Sequence, residues 1–219
     1  PVILPTGKTF QEAYRIAQKL NIHPDFYIAQ HGAEIIDANG KILFHNTIAP
    51  EEVKNIIEYY KFAKQNFAPK SQIVLIVDGE RYTLETYPLP FDWGEQGMKV
   101  IDSFDEILKS GRMPTVIVIY DPDKQTPALT KFFKEKLPNE LNVVNPVSMT
   151  CEIHNKTFSK GSAIKQAAKI FNIDLKNAAA LGDADNDLPM MQTVREEGGL
   201  TVMAVEFVPH GRLHYLDPG

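Results

Sequence analysis

Apolar and polar residues alternate in short blocks at the beginning of the chain. The apolar run at 2–4 predicts a strand, and a helix with apolar residues at helical spacing follows it. Thr9 and Glu12 have the spacing of a capping box, which places the start of this helix just after Gly7-Lys8. A short strand is expected at 26–29, and the dipeptide Asn39-Gly40 between two apolar runs predicts a tight hairpin.

The middle of the chain has a different pattern, in which hairpins are interleaved with helices. A helix is predicted to start within Ala49-Pro50-Glu51-Glu52 and to run to about Phe67, and a second hairpin turns at Asp78-Gly79. The segment 87–97, rich in aromatic residues and proline, is typical of a loop. Further helices are expected at 103–109 and 128–137, with strands at 115–120, 143–144 and 151–153.

The last third of the chain returns to an alternation of helix and strand. Helices are predicted at 163–171 and 188–194, a buried strand of small residues at 178–181, and another strand at 200–205. The pattern predicts an α/β fold with an open, mostly parallel Rossmann-like sheet and an inserted α+β cap domain. We expect 1–46 to form the first part of the core domain, 47–149 the cap and 150–219 the second part of the core.

Composition restricts the class of protein further. The chain has 219 residues, of which 43% are hydrophobic and 23% are charged, as in ordinary globular domains. Its 23 basic and 28 acidic residues give a net charge of −5 without a basic cluster, which does not favour a nucleic-acid partner. The apolar runs are far shorter than the roughly 20 residues that span a bilayer. We therefore expect a soluble, cytoplasmic protein without a membrane partner, either a monomer or a homodimer.

Two clusters of polar residues fall where a phosphate would be bound. Thr6-Gly7-Lys8 offers backbone N–H groups, a hydroxyl group and a helix N-terminus to an anion, although the same residues also suit a simple turn. Lys160 lies at the start of a predicted helix, where its charge is unfavourable for the helix dipole. It therefore either binds a nearby anion or is an exposed surface lysine.

A third cluster, Gly182-Asp183-Ala184-Asp185-Asn186-Asp187, follows a predicted strand. Its carboxylate and amide oxygens are the hard ligands that Mg²⁺ prefers. So many neighbouring carboxylates repel one another unless a cation neutralises them. The alternative interpretation is structural, with Asp187 capping the next helix and Asp185 in solvent.

These motifs carry a resemblance to a known family. TGK at 6–8, SKGSAI from Ser159 and LGDADNDLPMM from Leu181 resemble the second, third and fourth motifs of the haloacid dehalogenase-like hydrolases. Their order and spacing resemble the Cof-type sugar-phosphatase branch, whose cap lies between the second and third motifs. HGAEIIDANGKILF, from His31, is similar to a hairpin of that branch. The resemblance implies a Mg²⁺-dependent phosphatase of a small phosphorylated metabolite, such as a sugar phosphate, that works through an aspartyl-phosphate.

The resemblance also implies a role for each matching residue. Lys160 would neutralise the phosphoryl group, and Asp187 would hold Lys160 or the metal shell. The implied phosphate- and substrate-binding residues are Thr6, Gly7, Lys160 and Asn186, the implied metal ligands are Asp183 and Asp187, and the implied catalytic residues are Lys160, Asp183 and Asp187.

The first motif of the family, an Asp-x-Asp that carries the nucleophile, does not match any core position of this chain. It should lie upstream of Thr6, and the sequence begins at Pro1, so we expect the nucleophile upstream of this chain. Asp121-Pro122-Asp123 imitates the motif after an apolar strand, but it falls inside the predicted cap. We interpret it as a cap strand that leads into a loop.

Several alternatives stay open. A catalytically incomplete phosphatase-like protein would bind a phosphorylated ligand through Thr6, Lys160 and Asp183 without turnover. Gly7-Lys8-Thr9 as a nucleotide P-loop lacks the glycine required five residues before Gly7, where Val2 lies. The tail 206–219 does not match the Cof-type branch and leaves room for a neighbouring one, such as the sugar-phosphoglycerate phosphatases. His31 occupies a position where that branch usually has asparagine, and it either alters substrate contacts or is structural.

Overall fold

The computed structural model describes residues 1–85, 97–146, 148–182 and 187–203. Most of the predicted loop at 87–97, the site residues Asp183 and Asn186, and the tail 206–219 lie outside these ranges. By its internal contacts the chain divides into two units, Pro1–Ser159 and Lys160–Gly219. Each unit has its own sheets and helices.

The first unit begins with a four-stranded sheet in the order β1-β2-β3-β4. Strands β1 and β2 are parallel, whereas β2, β3 and β4 are antiparallel to their neighbours. The bounds are Ile3–Pro5 for β1, Phe26–Ala29 for β2, Glu34–Asp37 for β3 and Ile42–His45 for β4. The predicted hairpin is confirmed, since Gly40 at its turn has a φ of 86°, in the left-handed region that glycine tolerates.

Helix α1, Phe10–Lys19, connects β1 to β2. The capping box is present as predicted, because the Thr9 hydroxyl accepts from the Glu12 backbone N–H and the Glu12 carboxylate accepts from the Thr9 N–H. The small residues Ala13 and Ala17 pack the helix against Tyr27 of β2. The helix start is therefore fixed immediately after the Thr6-Gly7-Lys8 segment.

A six-stranded sheet follows, in the order β7-β6-β5-β8-β10-β9. All neighbouring strands are antiparallel except β6 and β7. The bounds are Gln72–Val77 for β5, Glu80–Thr83 for β6, Met98–Val100 for β7, Val116–Tyr120 for β8, Leu141–Val144 for β9 and Thr150–Asn155 for β10. The hairpin predicted at Asp78-Gly79 is confirmed, with both residues at positive φ.

Helices cover one face of this sheet. They are α2 at Pro50–Asn66, α3 at Asp105–Lys109 and α4 at Thr126–Lys136. Ile56 of α2 and Phe133 of α4 share a buried core with Leu75, Ile119 and Ile153 of the strands. Because side chains alternate along a strand, the residues between these strand positions point to the other face of the sheet.

Two details of the six-stranded sheet differ from the sequence expectations. Strand β7 was not predicted; it is only three residues long and mostly exposed, so it has no apolar pattern to detect. Strand β10 pairs with β8 and β9, so the expected cap boundary at 149/150 falls just before a strand of this sheet. The division into core and cap segments stays a prediction.

The second unit contains a parallel strand pair and two helices. The bounds are Lys160–Phe171 for α5, Ala179–Gly182 for β11, Leu188–Glu196 for α6 and Leu200–Met203 for β12. Strands β11 and β12 pair in parallel, from Ala179 with Leu200 to Gly182 with Met203. The elements agree with the predicted alternation of helix and strand as far as the described residues extend.

The burial expected for the strand at 178–181 was wrong in part. Ala180 is buried, but Leu181 is 69% exposed. Within the described residues β11 has one partner strand, β12, so its other edge has no strand paired with it. No helix in the described ranges is both long and apolar enough to cross a membrane.

Candidate functional site

The Thr6-Gly7-Lys8 segment, here called the phosphate loop, joins the end of β1 to the start of α1. The Thr6 N–H donates to the Ile28 carbonyl at 2.8 Å, which continues the pairing of β1 with β2 by one residue. The Thr6 hydroxyl accepts from the Lys8 backbone N–H at 3.1 Å. The loop thus has a defined turn with the N-terminus of α1 immediately behind it, an arrangement that favours an anion.

A second turn, Gln30–Gly32, is held against the phosphate loop by the main chain. The Gln30 N–H donates to the Lys8 carbonyl at 2.9 Å, and the His31 N–H donates to the Thr6 carbonyl at 3.0 Å. Gln30 and His31 have φ values of 49° and 58°, a region that residues with a side chain rarely occupy. Such strain persists where the surrounding structure fixes it, and it concentrates at functional sites.

Lys160 and Asp187 form a buried ion pair in the second unit. The Lys160 Nζ lies 2.5 Å from Asp187 Oδ1, and each side chain is 7% exposed. This geometry contradicts two structural alternatives left open by the sequence, an exposed Lys160 and an Asp187 that caps the next helix. Lys160 is not a surface lysine, and the Asp187 side chain makes no capping hydrogen bond to α6 although Asp187 occupies the N-cap position.

Glycine allows the ion pair to form. A Cβ on Gly161 would lie 2.3 Å from the Pro189 carbonyl oxygen, so the first turn of α5 packs directly on the first turn of α6. A Cβ on Gly182 would lie 2.5 Å from the Asp187 Cβ, so that side chain packs on the end of β11. These close approaches bring the start of α5, the end of β11 and the start of α6 together.

The structure describes one carboxylate, that of Asp187, at this corner of the second unit, and Mg²⁺ would need further oxygen ligands. The Asp187 carboxylate packs on Gly182, the last residue of β11, and Asp183 follows Gly182 in the chain. Within the described ranges, no group of three or more His, Cys, Asp or Glu residues could hold a metal ion. Asp183 and Asn186 lie outside the described residues, so their assignments stay predictions, as do those of Thr6 and Gly7.

The Asp-x-Asp look-alike at Asp121 has a structural role. Asp121 is fully buried just after β8, and its carboxylate accepts from the backbone N–H groups of Asp123 and Gln125. These hydrogen bonds hold the turn that leads into α4. The interpretation as a strand that leads into a loop is confirmed.

One acidic residue near the phosphate loop was missed by the sequence analysis. Glu152 Oε2 lies 3.9 Å from Nε2 of His31. Burial raises the pKa of the Glu152 carboxyl group to about 7. The only signal in the sequence was a single acidic residue between Cys151 and Ile153, which is common on the outer face of a strand.

Comparison with known proteins identifies the family. Residues 1–201 match the family model of the haloacid dehalogenase-like hydrolases, and the chain belongs to that family. The family predicted from the three motifs, with its Cof-type branch, is confirmed, and so is the prediction that the chain is a hydrolase of this family.

Two curated relatives are named as phosphatases. A putative phosphatase from Buchnera aphidicola is 24% identical, over 86% of this chain and 69% of its own length. Phosphatase YwpJ from Bacillus subtilis is 25% identical, over 87% of this chain and 74% of its own length.

Solved structures confirm the fold class. TM0651 from Thermotoga maritima has a TM-score of 0.76 at 18% identity and covers 92% of this chain and 79% of its own. The subclass IIB sugar phosphatase BT4131 has a TM-score of 0.63 at 13% identity, with the same coverage of 92% and 79%. At these identities the likeness supports the fold, an α/β core with a cap, and not the substrate.

Proposed function

We propose that this protein is a Mg²⁺-dependent phosphatase that hydrolyses the phosphate monoester of a small metabolite, with sugar phosphates as the first class to test. The observation that carries the proposal is the buried ion pair of Lys160 and Asp187 at the start of α5. The names of the phosphatase relatives and of the sugar phosphatase with the same fold support it.

Lys160 is suited to stabilise a phosphoryl group. A lysine that is 7% exposed loses most of its hydration, so its charge acts strongly on any anion that reaches it. Asp187 holds the ammonium group in place at 2.5 Å and limits the cost of burying it. A fixed charge of this kind needs little reorganisation when negative charge develops in the transition state.

The phosphate loop is suited to bind phosphate oxygens. The Thr6 hydroxyl group can donate while it accepts from the Lys8 N–H, because a hydroxyl group offers both functions. Gly7 adds a backbone N–H at the turn between β1 and α1. We assign phosphate binding to Thr6 and Gly7, and also to Asn186.

For the metal we propose Asp183 and Asp187 as the protein ligands. Mg²⁺, when bound, would supply positive charge that offsets the phosphate oxygens. The covalent step would belong to an aspartate upstream of Thr6, as the family resemblance implies. The cytoplasmic location and the choice between monomer and homodimer remain predictions.

The test is a phosphatase assay on the natural full-length polypeptide with a panel of sugar phosphates, with Mg²⁺ and with EDTA. Lys160→Ala should lower kcat/KM by at least about 100-fold, the range seen when one electrostatic stabiliser is removed. Lys165→Ala is the matched control, since Lys165 lies on the same helix and its side chain is 49% exposed.

Two outcomes would contradict the proposal. Turnover that is unchanged in Lys160→Ala would remove Lys160 from the chemistry. Mg²⁺-dependent binding of sugar phosphates without any turnover by the natural polypeptide would instead favour the alternative, a phosphatase-like binding protein.

A further inference from the structure

His31 lies directly on the phosphate loop. A Cβ on Gly7 would lie 2.4 Å from Cε1 and 2.7 Å from Nε2 of the imidazole, so the ring occupies the space that a side chain at position 7 would fill. The backbone hydrogen bonds of Gln30 and His31 to Lys8 and Thr6 fix the turn that carries the ring. An imidazole is thereby held in contact with the main chain proposed to bind phosphate.

Glu152 approaches the same imidazole from the six-stranded sheet. Its neighbours on β10, Cys151 and Ile153, belong to the core under the helices, so Glu152 points to the opposite face. Glu152 Oε2 and His31 Nε2 are 3.9 Å apart, with side chains that are 18% and 32% exposed. Both side chains are therefore partly exposed, and their polar atoms are close enough to share a hydroxyl group between them.

We propose that His31 and Glu152 form a subsite that binds hydroxyl groups on the leaving group of the substrate. The inference rests on the proposed phosphatase function, and it deepens that function by naming what distinguishes one phosphate monoester from another. The pair lies beside Gly7, a residue of the phosphate loop to which phosphate binding is assigned above.

The chemistry of the pair favours a neutral polyol over a cationic or an apolar group. Imidazole and carboxyl groups both donate or accept hydrogen bonds according to their protonation, and a hydroxyl group matches either state. Burial raises the pKa of Glu152 to about 7, so near neutrality the carboxyl group is protonated in a large share of molecules. A group that is often neutral offers little to an ammonium ion.

The experiment compares two kinds of leaving group on the natural full-length polypeptide. Glucose 6-phosphate and ribose 5-phosphate carry hydroxyl groups, whereas p-nitrophenyl phosphate carries an aromatic ring. Glu152→Leu and His31→Ala should each lower kcat/KM for the sugar phosphates about 10-fold, mainly through KM, which is the usual effect of one lost hydrogen bond. The kcat/KM for p-nitrophenyl phosphate should stay within about twofold of that of the natural sequence.

The controls keep structural effects apart from recognition. Glu135→Leu and His23→Ala make the same kinds of change at exposed positions and should leave kcat/KM for all three substrates unaffected. His31→Asn should keep part of the selectivity, because asparagine tolerates the left-handed backbone at φ 58° and retains a donor and an acceptor. An equal loss on all three substrates in Glu152→Leu would show a structural role and overturn the proposal.

A binding measurement separates failure of this inference from failure of the proposed function. Calorimetric titration with glucose 6-phosphate and with inorganic phosphate gives two affinities for each variant. We expect Glu152→Leu to remove the preference for the sugar phosphate and to leave phosphate affinity unchanged, whether or not turnover occurs. A preference that persists in Glu152→Leu and His31→Ala would overturn the subsite even if the protein proves to be a phosphatase.

Discussion

At the scale of single residues, the ion pair of Lys160 and Asp187 shows how burial changes the meaning of a charged side chain. Both are common surface residues, and both are 7% exposed in this fold. A buried pair gains little net free energy over apolar side chains, but it becomes expensive when one partner is removed. Such a pair is therefore better explained by function than by stability.

This asymmetry gives a stability prediction. Lys160→Met should lower the free energy of unfolding by about 3–5 kcal/mol, because it leaves the Asp187 carboxylate buried without its partner. The double variant Lys160→Met/Asp187→Leu should recover a large part of this loss. Urea denaturation of the four proteins in a double-mutant cycle measures both effects, and additive losses would contradict the interpretation.

Glu152 gives a prediction of pH dependence. Its pKa is raised by burial from an ordinary 4.5 to about 7, so the folded state binds this proton more tightly than the unfolded chain. The resulting stability is present below about pH 4.5 and is lost as pH rises through 7.

As pH rises from 5 to 8, the free energy of unfolding of Glu152→Gln should therefore increase relative to that of the natural sequence by about 2–3 kcal/mol, since one pKa unit corresponds to about 1.4 kcal/mol. Chemical denaturation of both proteins at the two pH values checks this. A difference that does not change with pH would show that Glu152 titrates as in the unfolded chain.

At the scale of elements, the packing of α5 on α6 depends on Gly161. The space for its Cβ is taken by the Pro189 carbonyl oxygen at 2.3 Å and by the Thr193 Oγ1 at 2.9 Å. A backbone carbonyl at a helix start cannot move without moving the helix. Gly161 therefore sets the distance between the two helices that carry Lys160 and Asp187.

Gly161→Ala should lower the free energy of unfolding by about 1–3 kcal/mol through overpacking, although alanine is the better helix former. Ser162→Ala, at the exposed neighbouring position, is the control. Thermal denaturation of the two variants and of the natural sequence measures the difference in melting temperature. If Gly161→Ala raises the melting temperature, helix propensity outweighs the contact, and the close approach is not a constraint.

The capping box shows the opposite case, in which local sequence is sufficient. Thr9 and Glu12 are three residues apart, and their reciprocal hydrogen bonds need only the first turn of α1. This explains why the helix start was predicted correctly.

At the scale of the whole molecule, the two connections between the sheets of the first unit touch each other. Asn155, the last residue of β10, donates from Nδ2 to the Asn46 Oδ1 at 2.7 Å and to the Thr47 carbonyl at 2.8 Å. Asn46 and Thr47 follow β4, where the chain leaves the four-stranded sheet. The Asn155 amide group therefore links the end of β10 to the segment that follows β4.

Asn155→Ala should lower the free energy of unfolding by about 1–2 kcal/mol, because two partly buried acceptors lose their donor. Asn139→Ala, at an exposed site after α4, is the control. Urea denaturation measures the difference. Equal stabilities of the two variants would mean that water replaces the amide without cost.

Much of the molecule followed from the sequence by itself. The two hairpins, the start of α1, the order of helices and strands, and the family were all determined by short-range patterns: period, turn dipeptides and spacing of motifs. These features depend on residues close together in the chain, so no knowledge of distant contacts was required.

The tertiary structure determined which residues far apart in the sequence contact each other, and local patterns do not contain this information. Whether Lys160 was a surface lysine or a buried partner of Asp187 depended on the packing of Gly161 against Pro189. The approach of Glu152 to His31 joins a strand of the six-stranded sheet to the turn between β2 and β3, and strand β7 is defined only by its pairing with β6. In each case the deciding energy, burial of charge or pairing of strands, comes from residues far apart in sequence.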